Sequence, residues 1–480
     1  MILKSHNLLS GIAALLSMAA CGRTTDGSSE NPRNPFAGME EVQLTVDAKG
    51  HFLHTTQQFS PDDQWIVYDT RNEGSHIGRT CCIEMVNTAS GEVRQLYQTE
   101  GQAEYGPGVG SATFNPEAQE VLFIHGLQNC DSLRPYGFSR RTGVMIRTDA
   151  PQQPVFLDAR DVTPPFTPGA LRGGTHAHTW SADGQWVSFT YNDDIMAQIS
   201  KEEGSRKKDL RMVGVMAPYG PVKVEHDGTG ENIDGRLYSA VVTEVIENPP
   251  PGSDQISRAY EDGWIGTEGY RRPDGSRQKR AVAFLGDVRN ENGQKLTEVF
   301  VADIPDDITL AAFERPTEGT LYSRPLPPAG TTQRRLTHTQ DRKYPGVQGP
   351  RHWLRSLPDG SLIFFMMKDE DGQVQIYGVS PNGGDVQQIT DNDFSIETAF
   401  NVSLDGKWLV YGSQEIAYIT EIASGRAWQA SPAPPVGASG MRAPNFSNAG
   451  QMIVYNRKVA LQDSSYYQIF LLKPGSSSSR

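Results

Sequence analysis

The feature that most restricts the fold is a short cassette that returns along the chain. SPDDQWIVY begins at Ser60, NPEAQEVLF at Asn115, SADGQWVSF at Ser181, LPDGSLIFF at Leu357, SLDGKWLVY at Ser403 and SNAGQMIVY at Ser447. Each copy is a polar turn followed by apolar residues that close on an aromatic. Asp-Gly pairs suit hairpin turns because they tolerate the backbone dihedrals required there. Alternation with period two marks a strand with a buried face. The spacings from Leu357 to Ser403 and Ser447 fit a four-stranded unit. Between Ser181 and Leu357 the cassette is degenerate, but LYSAVVTEV and AVAFLGDV with EVFVADI supply strands for a further unit. The clear copies plus the degenerate one predict an all-β fold, a single β-propeller of about seven blades. Insertions such as PPPGSDQISRAYEDGWIGTEGYRRPDGSRQKR are then expected as rim loops, where function tends to sit.

Composition agrees: 48 Gly and 31 Pro among 480 residues suit a turn-rich β protein. The net charge of −13 argues against general nucleic-acid binding. It leaves room for a local basic mouth that takes an anionic substrate. At the N-terminus Lys4 precedes an apolar run from Leu8 to Ala20, too short to span a bilayer but suited to an export signal. SMAAC ends in Cys21 and resembles a lipoprotein cleavage box. The expected organisation is an export signal over 1–21, a polar tether over 22–45 and a propeller catalytic domain over 46–475. The protein is expected to be exported, as an outer-membrane lipoprotein anchored through Cys21 or as a periplasmic or secreted monomer. Cys81 and Cys82 are adjacent, and one bridge from this pair to Cys130 is feasible, leaving an odd thiol.

Register locates candidate chemistry. Taking the first residue of each cassette as zero, positions about five before and ten after lie at the rim opposite the turn. Ten after zero stand His125 and Tyr191, in adjacent blades. Five before zero stand His176, His352 and Arg442, on innermost strands facing the channel. His178 shares the face of His176 because side chains alternate. Loops opening at this rim carry Arg134, Arg140 and Arg141 in blade two, and Arg206, Lys207, Lys208 and Arg211 in blade three.

Each of these has an ordinary reading: a hydrogen-bonded strand His, a strand-end Tyr, an Arg paired with Asp209. Their convergence is what points to chemistry. Cleaving a uronate polysaccharide by β-elimination needs a cation to neutralise the carboxylate, a base to take the adjacent proton and an acid for the departing oxygen. Arg211, His125 and Tyr191 are those parts. Arg140, Arg141, Arg206, Lys207, His178, His352 and Arg442 are expected to bind the anionic chain. The elimination needs no cofactor; His176, His178 and His352 are a candidate cluster for a divalent metal. No G-x-S-x-G elbow, P-loop or glycosidase carboxylate pair is present.

FTPGALRGGTHAHTWSADGQWVSFTYND, PGSDQISRAYEDGWIG and QRRLTHTQDRKYPGVQGPRHWLRS closely resemble signatures of the YidR-type bacterial propeller family, as do VLFIHG and DLRMVGV. That resemblance implies a β-propeller from about Phe59 to Tyr455. The layout also resembles the short ulvan lyases of polysaccharide lyase family 25, exported seven-bladed propellers that cleave next to a uronate. It implies a His and a Tyr as base and acid and an Arg on the carboxylate, by position His125, Tyr191 and Arg211. Where such lyases bring a second His near the first, GFSRRTGV offers Arg140 and Arg141, and EEGSRKK makes Arg206 a rival to Arg211. Oligogalacturonate lyases, with propeller histidines on a metal, are a more distant comparison. A non-catalytic TolB-like propeller that binds glycans or proteins is the alternative expectation.

Overall fold

Where the chain alternates apolar and polar residues it forms strands, and where Asp-Gly interrupts the alternation it turns. The computed structural model describes residue 34 and residues 36–475 apart from 462. The export signal, Cys21 and the tether as far as residue 33 lie outside the described residues. The chain divides into two units, residues 1–37 and residues 38–480. The second is a seven-bladed β-propeller.

The cassette turns share one local device. In the first, third and sixth blades the serine hydroxyl donates to the aspartate two residues on (Ser60–Asp62 2.6 Å, Ser181–Asp183 2.5 Å, Ser403–Asp405 2.6 Å). The same hydroxyl accepts the backbone N–H of the tryptophan at or just before the start of the next strand, at 3.0 Å each time. The following position must be left-handed, and Gly184 and Gly406 supply it at φ +65° and +69°. Ser-x-Asp-Gly-x-Trp is thus a self-capped hairpin written entirely in local sequence.

Innermost strands run toward these turns, for example Val109–Phe114, Gly173–Trp180, Ala259–Trp264 and Ser439–Phe446. All four carry a register shift. At each shift a non-glycine residue lies in the left-handed region: Ser111, Ala177, Glu261 and Ala443, at φ from +53° to +58°. The bulge bends the strand and re-aims its side chains at the channel. Between blades, apolar faces stack; Leu53, Phe59, Ile66 and Tyr68 of the first blade meet Val454 and Leu471 of the last. The ring closes when Met39–Gln43 pairs antiparallel with Ser464–Pro474, so that the first described strand completes the seventh blade. Sheet edges are covered in this way.

Four expectations need correction. Residues 39–43 belong to the propeller rather than the tether, because Val42 and its neighbours complete a sheet with the C-terminal strand. LYSAVVTEV contributes Tyr238–Val241, which pairs with Met212–Ala217 as the outermost strand of blade three, not to blade four. The expected rim loop before residue 281 supplies instead Ala259–Trp264, the innermost strand of blade four. The cysteines also differ: Cys81 bonds to its neighbour Cys82, and Cys130 is the free thiol.

Candidate functional site

The propeller axis is plugged midway. Arg355 reaches from blade five to the Thr55 carbonyl in blade one (2.9 Å) and to Asn401 Oδ1 (2.7 Å). Asn401 donates to the carbonyls of Thr55 and Pro444, and Gln57 brackets the backbone of Trp180 at 2.9 and 3.0 Å. On the turn side this layer floors a cavity of about 490 Å³ with Trp180, Trp264, Leu357 and Phe446 in its walls. On the opposite side lies a mouth of a different kind.

Guanidinium groups crowd that mouth. Arg141 and Arg211 stand 4.8 and 5.2 Å from the Phe138 ring centroid, and the His176 ring is 6.1 Å from it. Arg258 lies 4.0 Å over Tyr260, and Arg351 4.5 Å over Trp353. Arg442 sits 3.6 Å over Phe52 and donates to the Leu53 carbonyl (2.5 Å). The charge of Arg351 acts on His54, His176, Arg211 and Arg442 alike, which joins blades one, three, five and seven in one electrostatic neighbourhood. Compensation is sparse. Arg351 pairs with Glu261 (2.7 Å) and Arg71 with Asp69 (2.6 Å), whereas Arg141, Arg211, Arg258 and Arg442 form no ion pair among the described residues. Burial, then repulsion from Arg258, Arg141 and Arg351, lowers Arg211 to about 10; burial, then Arg71, lowers Arg442 to about 9. Both remain cations at neutral pH, and an anion entering here relieves their repulsion.

His176 is the reactive candidate within this field. Only 4% exposed, it leaves both ring nitrogens without a partner among the described residues. Burial first, then Arg141, Arg211 and Arg351, hold its pKa well below 6.5, so the ring is neutral, and an anion bound to these guanidiniums would offset their opposition to its protonation. The Tyr136 hydroxyl accepts from Arg141 Nη1 (2.7 Å), which leaves its own proton to donate.

The structure does not bring His125, Tyr191 and Arg211 together. His125 is fully buried: its Nδ1–H donates to the Gly126 carbonyl and its Nε2 accepts from the Tyr97 hydroxyl (2.9 Å). Phe123 and Phe156 complete the enclosure. Tyr191, also fully buried, donates to Asp193 (3.1 Å), which pairs with Arg172 (2.9 Å) and caps the helix Asp194–Ile199. Burial and the Asp193 charge raise its pKa well above 10. Arg211 alone of the three reaches the mouth, held through Asn192 (3.3 Å).

The expected binding residues also divide. Arg141 and Arg442 line the mouth. Arg140 is instead tied to Glu231 and Asn129, which fastens a loop. Arg206 and Lys207 are exposed, and Lys207 lines a small outer pocket with Glu244 and Arg324, away from the axis. His178 packs between blades against Gly143, its Nε2 donating to Thr175 (2.9 Å), which donates to Asp158 (2.9 Å). The three candidate metal histidines are not brought together either. His352 spends both nitrogens on backbone, Nδ1–H to Pro350 O (2.9 Å) and Nε2 from Met366 N (3.2 Å). Among the described residues no three His, Cys, Asp or Glu side chains, His176, His178 and His352 included, are grouped to hold a metal.

Sequence reasoning missed His54, Arg351, Phe138 and Trp353. His54 and Arg351 stand six residues before Ser60 and Leu357, one position beyond the register used. Scanning both positions would have found them.

Comparison with known proteins places this architecture. A family described as a protein of unknown function, DUF3748, matches residues 108–231. The Escherichia coli (strain K12) protein named "Uncharacterized protein YidR" is 40% identical over 394 residues, covering 79% of this chain and 88% of its own. Among solved structures, an oligogalacturonate lyase in complex with manganese superposes with a TM-score of 0.50 at 12% identity, over 91% of this chain and 93% of that one. That likeness is one of fold. TolB from Acinetobacter baumannii gives a TM-score of 0.33 at 14% identity, over 86% of this chain and 82% of that one.

Proposed function

The chain belongs to the family of YidR, and from that premise we propose a lyase that cleaves uronate-containing polysaccharides by β-elimination at the cationic mouth of the propeller. One observation supports the reading: a neutral imidazole, His176, whose two nitrogens have no partner among the described residues, lies in the field of Arg141 and Arg211, which form no ion pair there, and of Arg351, which is paired with Glu261. Arg211 and Arg141 take the substrate carboxylate, which makes the proton on the adjacent carbon acidic enough to remove. His176 accepts that proton. The electron pair forms the new C=C bond as the glycosidic C–O bond breaks, and Tyr136 protonates the departing oxygen. General acid–base groups of this sort each contribute about 10²–10⁴-fold. The roles first assigned to His125 and Tyr191 pass to groups that face the mouth.

An ulvan-type sulfated uronate polymer is the substrate we place first, on the resemblance in sequence layout. Oligogalacturonides come second. The test is a panel of ulvan, polygalacturonate and alginate followed by ultraviolet absorbance of the unsaturated uronate. A rise with one polymer, unchanged by a chelator, supports the reading; no rise with any sinks it. A non-catalytic glycan-binding propeller is the second reading, favoured by the Phe138 ring that stands over the nearly covered His176. Tight binding without absorbance change selects it. Action outside the cytoplasm is part of the proposal, tested by fractionation and lipid labelling of wild type against Cys21→Ala.

A further inference from the structure

The cations of the mouth fall into two groups. Arg141, Arg211 and His176 surround Phe138 on blades two and three. Arg442 of blade seven, His54 of blade one and Trp353 of blade five make the other group, and Arg351, paired with Glu261, acts electrostatically on members of both. The second group is a set of unused donors. Trp353 is 5% exposed, and its indole N–H, a donor only, has no partner. His54 is 4% exposed, packs edge-on against Trp353 at 4.9 Å and leaves Nε2 unpartnered. Arg442 spends Nη1 on Leu53 O and Asn456 Oδ1, and its other N–H groups make no hydrogen bond among the described residues. Arg351 uses Nε on Glu261, which leaves its terminal nitrogens free.

Buried donors are normally satisfied, so a cluster of them around an uncompensated guanidinium is a socket for acceptor oxygens. We infer that Arg442, Trp353, His54 and the free end of Arg351 form a second anion subsite, which takes a carboxylate or sulfate from another residue of the same glycan. This rests on the proposed lyase reading and names its substrate class: acidic chains with anions on more than one sugar. Glu261 enforces the separation. Its Oε2 is buried and has no partner among the described residues beside Arg351, whose charge acts on both groups, so an anion placed there meets a like charge. Two anions must straddle it.

Isothermal titration of the full chain tests the subsite, in a His176→Gln background so that nothing turns over. The probes are galacturonic acid, trigalacturonic acid and a carrageenan tetrasaccharide bearing sulfates and no carboxylate. Two-point attachment should make the trimer bind roughly a hundredfold tighter than the monomer. Arg442→Gln should remove most of that gain and leave the monomer unchanged, and Arg442→Lys should restore part of it. Trp353→Phe, which deletes the N–H and keeps a ring, reads the same gain should Arg442→Gln melt early. Arg442-dependent affinity for the tetrasaccharide identifies sulfate as the second anion; its confinement to the trimer identifies carboxylate. A trimer no tighter than the monomer, or equal weakening of both by Arg442→Gln, overturns the subsite. The titrations need no catalysis. An absorbance rise in the parent protein without the Arg442-dependent gain therefore sinks the subsite alone, and the gain without any rise sinks the lyase reading alone.

Discussion

His125 and His176 lie one blade apart, and both are imidazoles whose pKa burial lowers. His125 has each nitrogen engaged, by Tyr97 and by the Gly126 carbonyl, inside an aromatic cage. His176 has neither nitrogen engaged and faces guanidiniums instead. A satisfied imidazole stabilises a fold, while an unsatisfied one is free to accept a proton once a bound anion offsets the cations around it. Tyr191 and Tyr136 repeat the contrast. One phenol is sealed on a buried Arg172–Asp193 pair, and the other is half-buried against Arg141 at the mouth. The difference teaches that residue type nominates a catalyst but unspent hydrogen-bonding capacity elects it.

The broadest test attacks what the two regions share. His51, His54, His125, His176, His178 and His352 all have lowered pKa values, chiefly through burial, His352 to about 4 and His178 to about 3. In the unfolded chain they protonate near 6.5, so the stability they contribute is present above that pH and is lost as pH falls toward the folded values. Asp158 and Asp209, raised to about 6, and Asp262, raised to about 7, work the other way, because the fold takes up their protons first. The imidazoles outnumber them. Stability should therefore fall by up to roughly 4 kcal/mol per pH unit between pH 6 and 4, measured by denaturant melts across that range. A flat profile would mean that the imidazoles are not held neutral.

Next in size, His176→Gln should cut kcat by about a thousandfold with little change in melting temperature; a mutant retaining most of its turnover removes His176 as base. His125→Ala should do the reverse. It empties a caged site and strands the Tyr97 hydroxyl, costing about 2–4 kcal/mol, while kcat of the folded fraction stays within a few-fold. A selective loss of kcat would restore the original assignment. The smallest effect is expected from Tyr191→Phe, which deletes one hydrogen bond to a charged partner for about 1–3 kcal/mol. Turnover should survive it, and a kinetic collapse without loss of stability would return the acid role to Tyr191.

Local signals carried the fold a long way. Ser60, Ser181 and Ser403 cap their own turns with Asp62, Asp183 and Asp405, so each hairpin is legible from nine residues and the blades can be counted. Blade four was blurred because its inner strand lies inside a polar insertion, where Ala259–Trp264 offers only weak alternation. For the site, the channel end and its basic character were legible, and Arg141, Arg211 and Arg442 were found from register and loop position. Bulges at Ala177, Glu261 and Ala443 broke that register, a shift the apolar pattern does not record.

The sequence by itself determined a ring of antiparallel sheets and the end of the axis at which ionisable groups collect, since both follow from the pitch of a strand and the dihedrals of a turn. Only the tertiary structure decided which of those groups are free. Tyr97, Gly126, Asp193 and Pro350 consume His125, Tyr191 and His352, and among the described residues nothing consumes the ring nitrogens of His176. Partners such as Tyr97, which belongs to the neighbouring blade, come from other strands. Whether a polar atom is spent is therefore a property of the assembled fold.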